Sequence, residues 1–461
     1  MKWNCMNKGL RKVLIWLFWI VVWWLLSLAV NNHILLASPW DTVKVLWNRL
    51  GEGSFYLTIA GSLMRIGAGF VLGFSVAVLL AMCSKRFPWL EELLAPFMNL
   101  LKTIPVASFV VLLLIWWGSA FLAVAISFLV VLPQIYISTL EGLKNADVQL
   151  LEVAQVFRMS LWNRLFYIYR PALKPFLMSS LRISLGMCWK SGVAAEVIGT
   201  PDYSIGERLY LSKVYLDTAE LFGWTAVIIV LCALFEKLVL WLIGKFFAWE
   251  PVCKAQACGG TKKKSATETE EIKLVLENVV KSYNGQMVLD KLSTIYLPGE
   301  TYYLTSPSGS GKTTLLRIVA GLTKADSGSV QGPEHCSMVF QEDRLCEDYS
   351  AVKNVEMVLG RVKHCGDGIN AGQAVDGKIT TQIATDALEK LLPPESLHKP
   401  CRELSGGMKR RVALVRAMEA DSEIVLLDEP FTGMDAETKK RAEEYILEHQ
   451  RGRTVIIATH I

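Results

Sequence analysis

Apolar positions form long runs through the first 250 residues, then break into short runs separated by charge. A helix needs about 20 mostly apolar residues to cross a bilayer. Runs of that kind cover 13–30, 66–83, 120–137, 176–198 and 222–246, with a Pro-interrupted one at 90–117. The interrupted run can be read as one span or as a short helix followed by a span. About six spans return the chain to the side on which it starts. Lys2, Lys8, Arg11 and Lys12 precede the first run, and Lys85 and Arg86 follow the second. Lys144, Arg158, Arg164, Arg170 and Lys174 fill the connection between the fourth and fifth. By the positive-inside rule these segments are cytoplasmic. The first run has no small-residue cleavage site and reads as a retained span rather than a signal peptide. Its Trp16, Trp19, Trp23 and Trp24 read as lipid-facing, interfacial anchors. Arg65, at the start of the second run, is expected to snorkel to an interface.

At 250–271 the character changes to Cys253-Lys-Ala-Gln-Ala-Cys-Gly-Gly-Thr-Lys-Lys-Lys-Ser, a flexible polar linker by composition. Beyond it, β-branched runs at 273–276, 301–304, 424–427 and 454–458 alternate with helical patterns. Such alternation predicts an α/β domain with a parallel core sheet. The expected organisation is an α-helical transmembrane domain at 1–249, a linker at 250–271 and an α/β domain at 272–461.

Composition agrees with this division. The 461 residues are 52% hydrophobic and 20% charged, and the mean hydropathy is +0.34. The net charge of +5 is modest, so no nucleic-acid partner is expected. The 10 cysteines are scattered, without zinc-ligand spacing, and read as reduced structural or incidental thiols.

The densest chemistry begins at Ser306-Pro-Ser-Gly-Ser-Gly-Lys312-Thr313-Thr314. A strand at 302–305, a turn of small residues and a following helix make a phosphate cradle, so the α/β domain at 272–461 is expected to be a P-loop NTPase. Backbone N–H groups of Ser308, Gly309, Ser310 and Gly311 would face phosphate, with Thr314 in the helix start. Lys312 would reach the β- and γ-phosphates, and Thr313 would ligate Mg²⁺. Ser306 stands where the pattern has its first glycine. Serine tolerates positive φ less well, so a strained or reshaped loop is expected there. Asp428 ends an apolar run and Glu429 follows it. One carboxylate would hold Mg²⁺ through water and the next would polarise the attacking water. Ser405, Gly406 and Gly407 precede a basic helical stretch and form a further anion site at its N-terminus.

Leu404-Ser-Gly-Gly-Met408 resembles the signature motif of ABC transporter ATPases, and other landmarks of that family recur in order from about 271 onward. The resemblance implies that Tyr283 stacks on adenine, and that Gln341 contacts Mg²⁺ and senses the membrane domain. Asp435 matches the D-loop, and His460 the switch histidine that contacts the γ-phosphate. It further implies ATP sandwiched between two subunits, so that Ser405 and Gly407 meet the ATP held by the partner's Lys312. Family members usually continue beyond that histidine. The sequence therefore reads as a fragment or as an unusually short domain, and the packing behind His460 is expected to differ.

In the apolar half, Glu152-Val-Ala154-Gln-Val-Phe-Arg158-Met-Ser160, followed by Tyr169-Arg170-Pro171, resembles the EAA coupling loop of binding-protein-dependent importers. Val153 replaces an alanine, and Arg158 takes the usual glycine position. Lys102-Thr-Ile-Pro105-Val-Ala-Ser-Phe, Ile115-Trp-Trp-Gly118, Trp189-Lys190-Ser-Gly-Val-Ala-Ala-Glu196 and Asp217-Thr218 are similar to permeases of the nitrate/sulfonate/taurine group. That group includes relatives suggested to carry pyrimidine precursors and aromatic acids. Lys190 and Glu196 lie in or beside a predicted span, where charge is costly. Pairing with another helix and lining a solute path both fit them.

The resemblance implies a type I importer fused to its ATPase, with ATP and Mg²⁺ as cofactors. It would work as a homodimer in the cytoplasmic membrane, with its ATPase in the cytoplasm. A separate extracytoplasmic binding protein would deliver a small anionic or zwitterionic solute. An exporter and a non-hydrolysing regulatory half-transporter are the alternatives. The visible spans lack long cytoplasmic extensions, which favours import.

Overall fold

The computed structural model describes residues 8–32, 34–249, 255–257, 274–307, 309–359, 361–362, 374–375 and 377–459. Most of the 250–271 linker, together with Ser308 and His460, lies outside the described residues. The chain divides into two compact units. The first is Met1–Asn145 with Leu173–Trp249, and the second is Ala146–Ala172 with Glu250–Ile461.

The first unit is helical: α1 (Lys8–Val30), α2 (Pro39–Leu50), α3 (Gly53–Arg86), α4 (Pro88–Thr103) and α5 (Val106–Lys144). Among the described residues, four helices are long and apolar enough to cross a membrane: α1, α3, α5 and a last helix at Thr218–Ala248. The interrupted run at 90–117 is divided between α4 and the start of α5, with Ile104 and Pro105 in extended backbone between them. The next run continues the same helix across Gly118, whose φ of 71° and ψ of −179° break the helical geometry. Only glycine adopts that conformation readily, and open space surrounds the missing Cβ. Gly118 is therefore required by the backbone and not by packing.

After the loop segment described below, α8 (Arg170–Gly199) is long enough to span but carries Arg182, Lys190 and Glu196. It is followed by α9 (Ile205–Val214) and α10 (Thr218–Ala248). Glu196 is fully buried and accepts hydrogen bonds from Ser62 Oγ at 2.6 Å and Arg65 Nε at 3.1 Å. Arg65 also donates to the Tyr203 carbonyl at 2.8 Å. The snorkelling expected of Arg65 is thus corrected. A buried carboxylate needs a paired cation, and Arg65 supplies it by turning inward. Trp16, Trp19 and Trp24 are exposed, as expected of anchors, while Trp23 donates its ring N–H to the Ala37 carbonyl.

The second unit begins with α6 (Val148–Val156) and the single turn α7 (Leu161–Asn163), which passes through a π-helical stretch, Arg164–Tyr169, into α8. Its later part holds β1 (Ala255–Ala257), β2 (Leu274–Tyr283), β3 (Gln286–Tyr296), β4 (Thr301–Thr305), α11 (Lys312–Val319), β5 (Ser327–Gln331) and β6 (Cys336–Val339). Then come α12 (Ala351–Glu356), β7 (Arg361–Val362), β8 (Ala374–Val375), α13 (Gly377–Glu389), α14 (Gly406–Glu419), β9 (Ile424–Asp428), α15 (Ala436–Glu448) and β10 (Thr454–Thr459). The core sheet is parallel, in the order β4-β10-β9-β6. Every residue of β9 is buried, as expected of a strand covered on both faces.

A second, antiparallel sheet in the order β3-β2-β5 was not anticipated. Its β2–β3 turn is Asn284-Gly285, both with positive φ, the pairing favoured in a tight hairpin. Only the start of β2 showed in the sequence, because its later part is mostly polar and only partly buried. The short strands β7, β1 and β8 form a further small sheet.

Candidate functional site

The loop after β4 leads directly into α11, so the N-terminus of α11 faces the turn. Gly309 and Gly311 have φ of 82° and 87°. At Gly311 a Cβ would also lie 2.9 Å from the Val288 carbonyl oxygen, so both conformation and space require glycine. Ser306 is not among the residues with positive φ. The strain expected there is corrected: the backbone at this position does not need glycine. Lys312 Nζ folds back onto the loop and donates to the Ser306 carbonyl, and to that of Pro307 at 3.1 Å. Ser310 N–H closes the turn onto the Pro307 carbonyl at 3.3 Å.

Asp428, at the end of β9, is buried, and burial raises its pKa while a hydrogen bond from Thr313 opposes the rise. Its Oδ2 is buried without a hydrogen-bond partner. An orphaned carboxylate oxygen beside a threonine hydroxyl fits a hard divalent cation. Glu429 adopts φ of 49°. Its N–H donates to the Ala458 carbonyl at 2.9 Å, and its Oε2 accepts from Thr432 Oγ1 at 3.3 Å.

Arg410 of α14 fixes this neighbourhood and was not singled out from the sequence. It is buried and donates to the carbonyls of Phe340 (2.6 Å), Gln341 (3.1 Å), Asp428 (2.7 Å) and Glu429 (2.6 Å). One guanidinium thereby ties the ends of β6 and β9 together, a role suited to its planar fork of donors. Gln341 is exposed just past β6. Ser405 caps α14, accepting from Met408 N–H at 3.3 Å. A Cβ at Gly407 would meet the Gly433 carbonyl at 2.9 Å, so the signature segment lies against the loop that carries Asp435, the N-cap residue of α15. Tyr283 ends β2, beside the Asn284-Gly285 turn, and is 45% exposed.

The segment 146–172 is built into this unit. Val153 and Val156 are buried in one cluster with Leu315, Leu316, Met338 and Phe340. Ala154, Met159, Tyr167 and Ile168 are buried with Cys346, Tyr349, Met357 and Val358. Glu152 bridges two arginines. It accepts from Arg317 at 2.6 and 3.1 Å and pairs with Arg344. Arg317 first, then Arg344, hold the carboxyl below the usual range. Arg317 belongs to α11, and Arg344 lies three positions after Gln341, so Glu152 touches both segments. Arg416 of α14 is fully buried, donates to the Arg344 and Asp343 carbonyls, and lies over the Phe157 ring. Burial pushes its pKa down to about 10. Arg317, Arg344 and Arg416 were missed because nothing in their spacing distinguishes them from surface arginines.

Arg158, at the loop's usual glycine position, has φ of 45°. A left-handed residue with a Cβ costs roughly 1–2 kcal/mol. Its ion pair with Glu334, whose side chains are 49% and 81% exposed, returns only about 0–1 kcal/mol. Arg158→Gly is therefore expected to raise the thermal midpoint by about 2–4 °C. A scanning-calorimetry midpoint that falls instead would show that the ion pair outweighs the strain.

Comparison with known proteins supports both halves. A family model described as a binding-protein-dependent transport system inner membrane component matches residues 69–247, and one described as ABC transporter matches 289–432. The "Aliphatic sulfonates import ATP-binding protein SsuB 2" of Pseudomonas syringae pv. syringae is 37% identical over 42% of this chain and 65% of its own length. The "Aliphatic sulfonates import ATP-binding protein SsuB 1" of Nocardia farcinica is 34% identical over 42% of this chain and 73% of its own length. An "Uncharacterized ABC transporter ATP-binding protein" of Haemophilus influenzae is 33% identical over 40% of this chain and 74% of its own length. The chain thus spans just under two thirds of the first of these relatives. The solved dimeric structure of MJ0796, a bacterial ABC transporter cassette, is similar at 27% identity over 41% of this chain and 88% of that one, with a TM-score of 0.36. Two matches in tandem, to a membrane component and to its ATPase, place both in one polypeptide, and the chain belongs to the ABC transporter family.

Proposed function

We propose that the chain is an ATP-driven importer of a small solute, fused from permease and ATPase. The observation that carries this reading is Glu152, which joins an EAA-like loop to both the P-loop helix and the segment after Gln341. Such a bridge transmits changes at the nucleotide to the membrane-borne loop. The importer direction is supported by the inner-membrane match over 69–247. The relatives' sulfonate naming supports a sulfonate, taurine or nitrate-like solute, with pyrimidine or aromatic precursors as the other class.

In this reading the membrane portion lies within 1–249, the linker at 250–271 and the ATP-binding portion within 272–461. The loop N–H groups from Ser308 to Thr314 and the α11 N-terminus bind phosphate. Lys312 exchanges its loop carbonyls for phosphate oxygens. Thr313, Asp428 and Gln341 would hold Mg²⁺, which when bound neutralises charge on the transferred phosphoryl group. Glu429 accepts the proton of the attacking water. His460 contacts the γ-phosphate, and Tyr283 offers its exposed ring to adenine. Ser405, Gly406, Gly407 and Asp435 face the nucleotide of a second copy, so two chains complete two sites. A separate extracytoplasmic binding protein presents the solute at the cytoplasmic membrane.

The test is uptake by the full chain in lipid vesicles. Labelled taurine, with a taurine-binding protein outside and Mg²⁺-ATP inside, is expected to accumulate. ATP-dependent release of preloaded taurine would instead make the chain an exporter. Bound but unhydrolysed ATP, with the binding protein present, would make it regulatory.

A further inference from the structure

One face of α8 is exposed along its whole length. Arg182, Met187, Lys190, Ala194 and Ile198 are all exposed, and their spacing of three to five residues keeps them on one side of a helix. The opposite side is packed. Cys188 Sγ donates to the Ile66 carbonyl at 3.9 Å. A Cβ at Gly192 would meet Ile66 at 2.8 Å and Ser127 at 2.9 Å, and the Trp189 and Phe235 rings are 5.8 Å apart. Ile66, Ser127 and Phe235 lie near the middles of α3, α5 and α10, three of the helices able to cross a membrane. Lys190 therefore stands at mid-depth.

Among the described residues, Glu52 and Glu220 pair with Arg49, Glu91 with Lys144, and Glu196 with Arg65. Among the described residues, neither Lys190 nor Arg182 is in an ion pair. Cys232 of α10 feels the charges of both Lys190 and Glu236, yet those two do not pair. An unpaired cation at mid-depth is costly against lipid, and such residues face a bundle interior or a water-filled cavity. The exposed face of α8 also carries no acid, so its field has one sign.

We propose that Lys190 is an anion-binding step, midway along a water-filled path on the exposed face of α8, and that it takes small oxyanions of the sulfonate or carboxylate kind. This deepens the import reading and rests on it for the direction of travel. Arg182, two turns nearer the cytoplasmic end, provides a second cation, so an oxyanion passes between fixed positive charges without meeting an acid.

The test places a probe cysteine on the path and leaves Lys190 intact. Ala194→Cys, one turn from Lys190, is labelled in the full chain in lipid vesicles with an anionic and a cationic alkylthiosulfonate of equal size. The unsubstituted chain supplies the background of native cysteines. Labelling transfers the reagent's thio group to the cysteine thiolate and releases a sulfinate, and it needs neither ATP nor solute. The anionic reagent is expected to react about 10-fold faster, as fields of this kind shift encounter rates by that order or more. Adding Lys190→Gln should abolish most of that preference. Ile198→Cys, one turn further, should show the same pattern and guards against a local defect at 194.

Failure of both cysteines to react would put this face against lipid or protein and overturn the inference. So would a preference that survives Lys190→Gln. A preference that arises only after Glu236→Gln would make Lys190 a neutralised structural charge, with the same consequence. Because labelling is independent of transport, absent taurine uptake beside a clear anion preference would sink the import reading alone.

Discussion

Glu429→Gln is expected to lower Mg²⁺-ATP hydrolysis by the full chain in lipid vesicles by about 100-fold or more, with ATP binding retained. A positioned general base is worth about 10²–10⁴ in rate. The backbone of Glu429 is pinned from both sides. Its N–H is held by the Ala458 carbonyl, and its own carbonyl accepts from Arg410 at 2.6 and 3.2 Å. The φ of 49° takes the backbone out of strand geometry at this residue. Glutamine keeps the shape, and its amide oxygen still accepts from the Thr432 hydroxyl. The substitution therefore removes the base and leaves the frame. Phosphate release and bound nucleotide, measured on the same vesicles, check both halves. Turnover within a few-fold of the unsubstituted chain would move the base to another residue.

Glu152→Gln is the second large effect. One carboxylate, itself 23% exposed, bridges Arg317 and Arg344, which are only 25% and 10% exposed, while Arg344 has a second partner in the exposed Glu342 at 3.2 Å. Charge-assisted hydrogen bonds of this kind contribute about 1.5–3 kcal/mol, and partial exposure puts this pair toward the lower end. A neutral amide leaves Arg317 without its paired carboxylate and Arg344 with Glu342 alone. Their lowered carboxyl partner is ionised at neutral pH. Its stabilisation is therefore fully present above the ordinary glutamate pKa and lost only as pH falls through the lowered value. The nucleotide residues themselves are untouched. Hydrolysis should persist within a few-fold while taurine uptake falls by about 10-fold or more. Simultaneous measurement of phosphate released and taurine accumulated reads the ratio. Equal loss of both would show that Glu152 supports the fold of the ATPase rather than its connection to the membrane.

The two units differ in how much of them could be read from the sequence. β9 and β10 were visible as β-branched runs because a strand buried on both faces must be apolar throughout, and β4, which is only partly buried, showed through its β-propensity. The order of P-loop, signature and Asp428-Glu429 was visible because phosphate binding constrains residue type at fixed spacing. The helix boundaries were less clear. Pro105 and Gly118 decide where α4 ends and α5 bends, and hydropathy does not register a change of φ. Arg65 misled because a cation near the end of an apolar run has two physical solutions, and only the position of Glu196 selects between them. Arg410 and Arg416 were hidden in a basic helical stretch. Charge suggests a solvated face, and burial against carbonyls appears only once α14 meets β6 and β9.

The second unit draws its core from two stretches far apart in the chain, and this has a consequence for synthesis. Val153 and Val156 share a core with Leu426 and Ile456, so the loop leaves the ribosome well before the strands that bury it. At about 5–20 residues per second, the delay is on the order of fifteen seconds to a minute. In the first part of that interval Val153 and Val156 wait for their native partners, which begin to arrive with Leu274, Leu315, Leu316 and Met338 and are complete only with Leu426 and Ile456. A nascent membrane protein must therefore keep a short, sticky segment waiting at the cytoplasmic face, and the ATPase cannot close this core until β10 has been made.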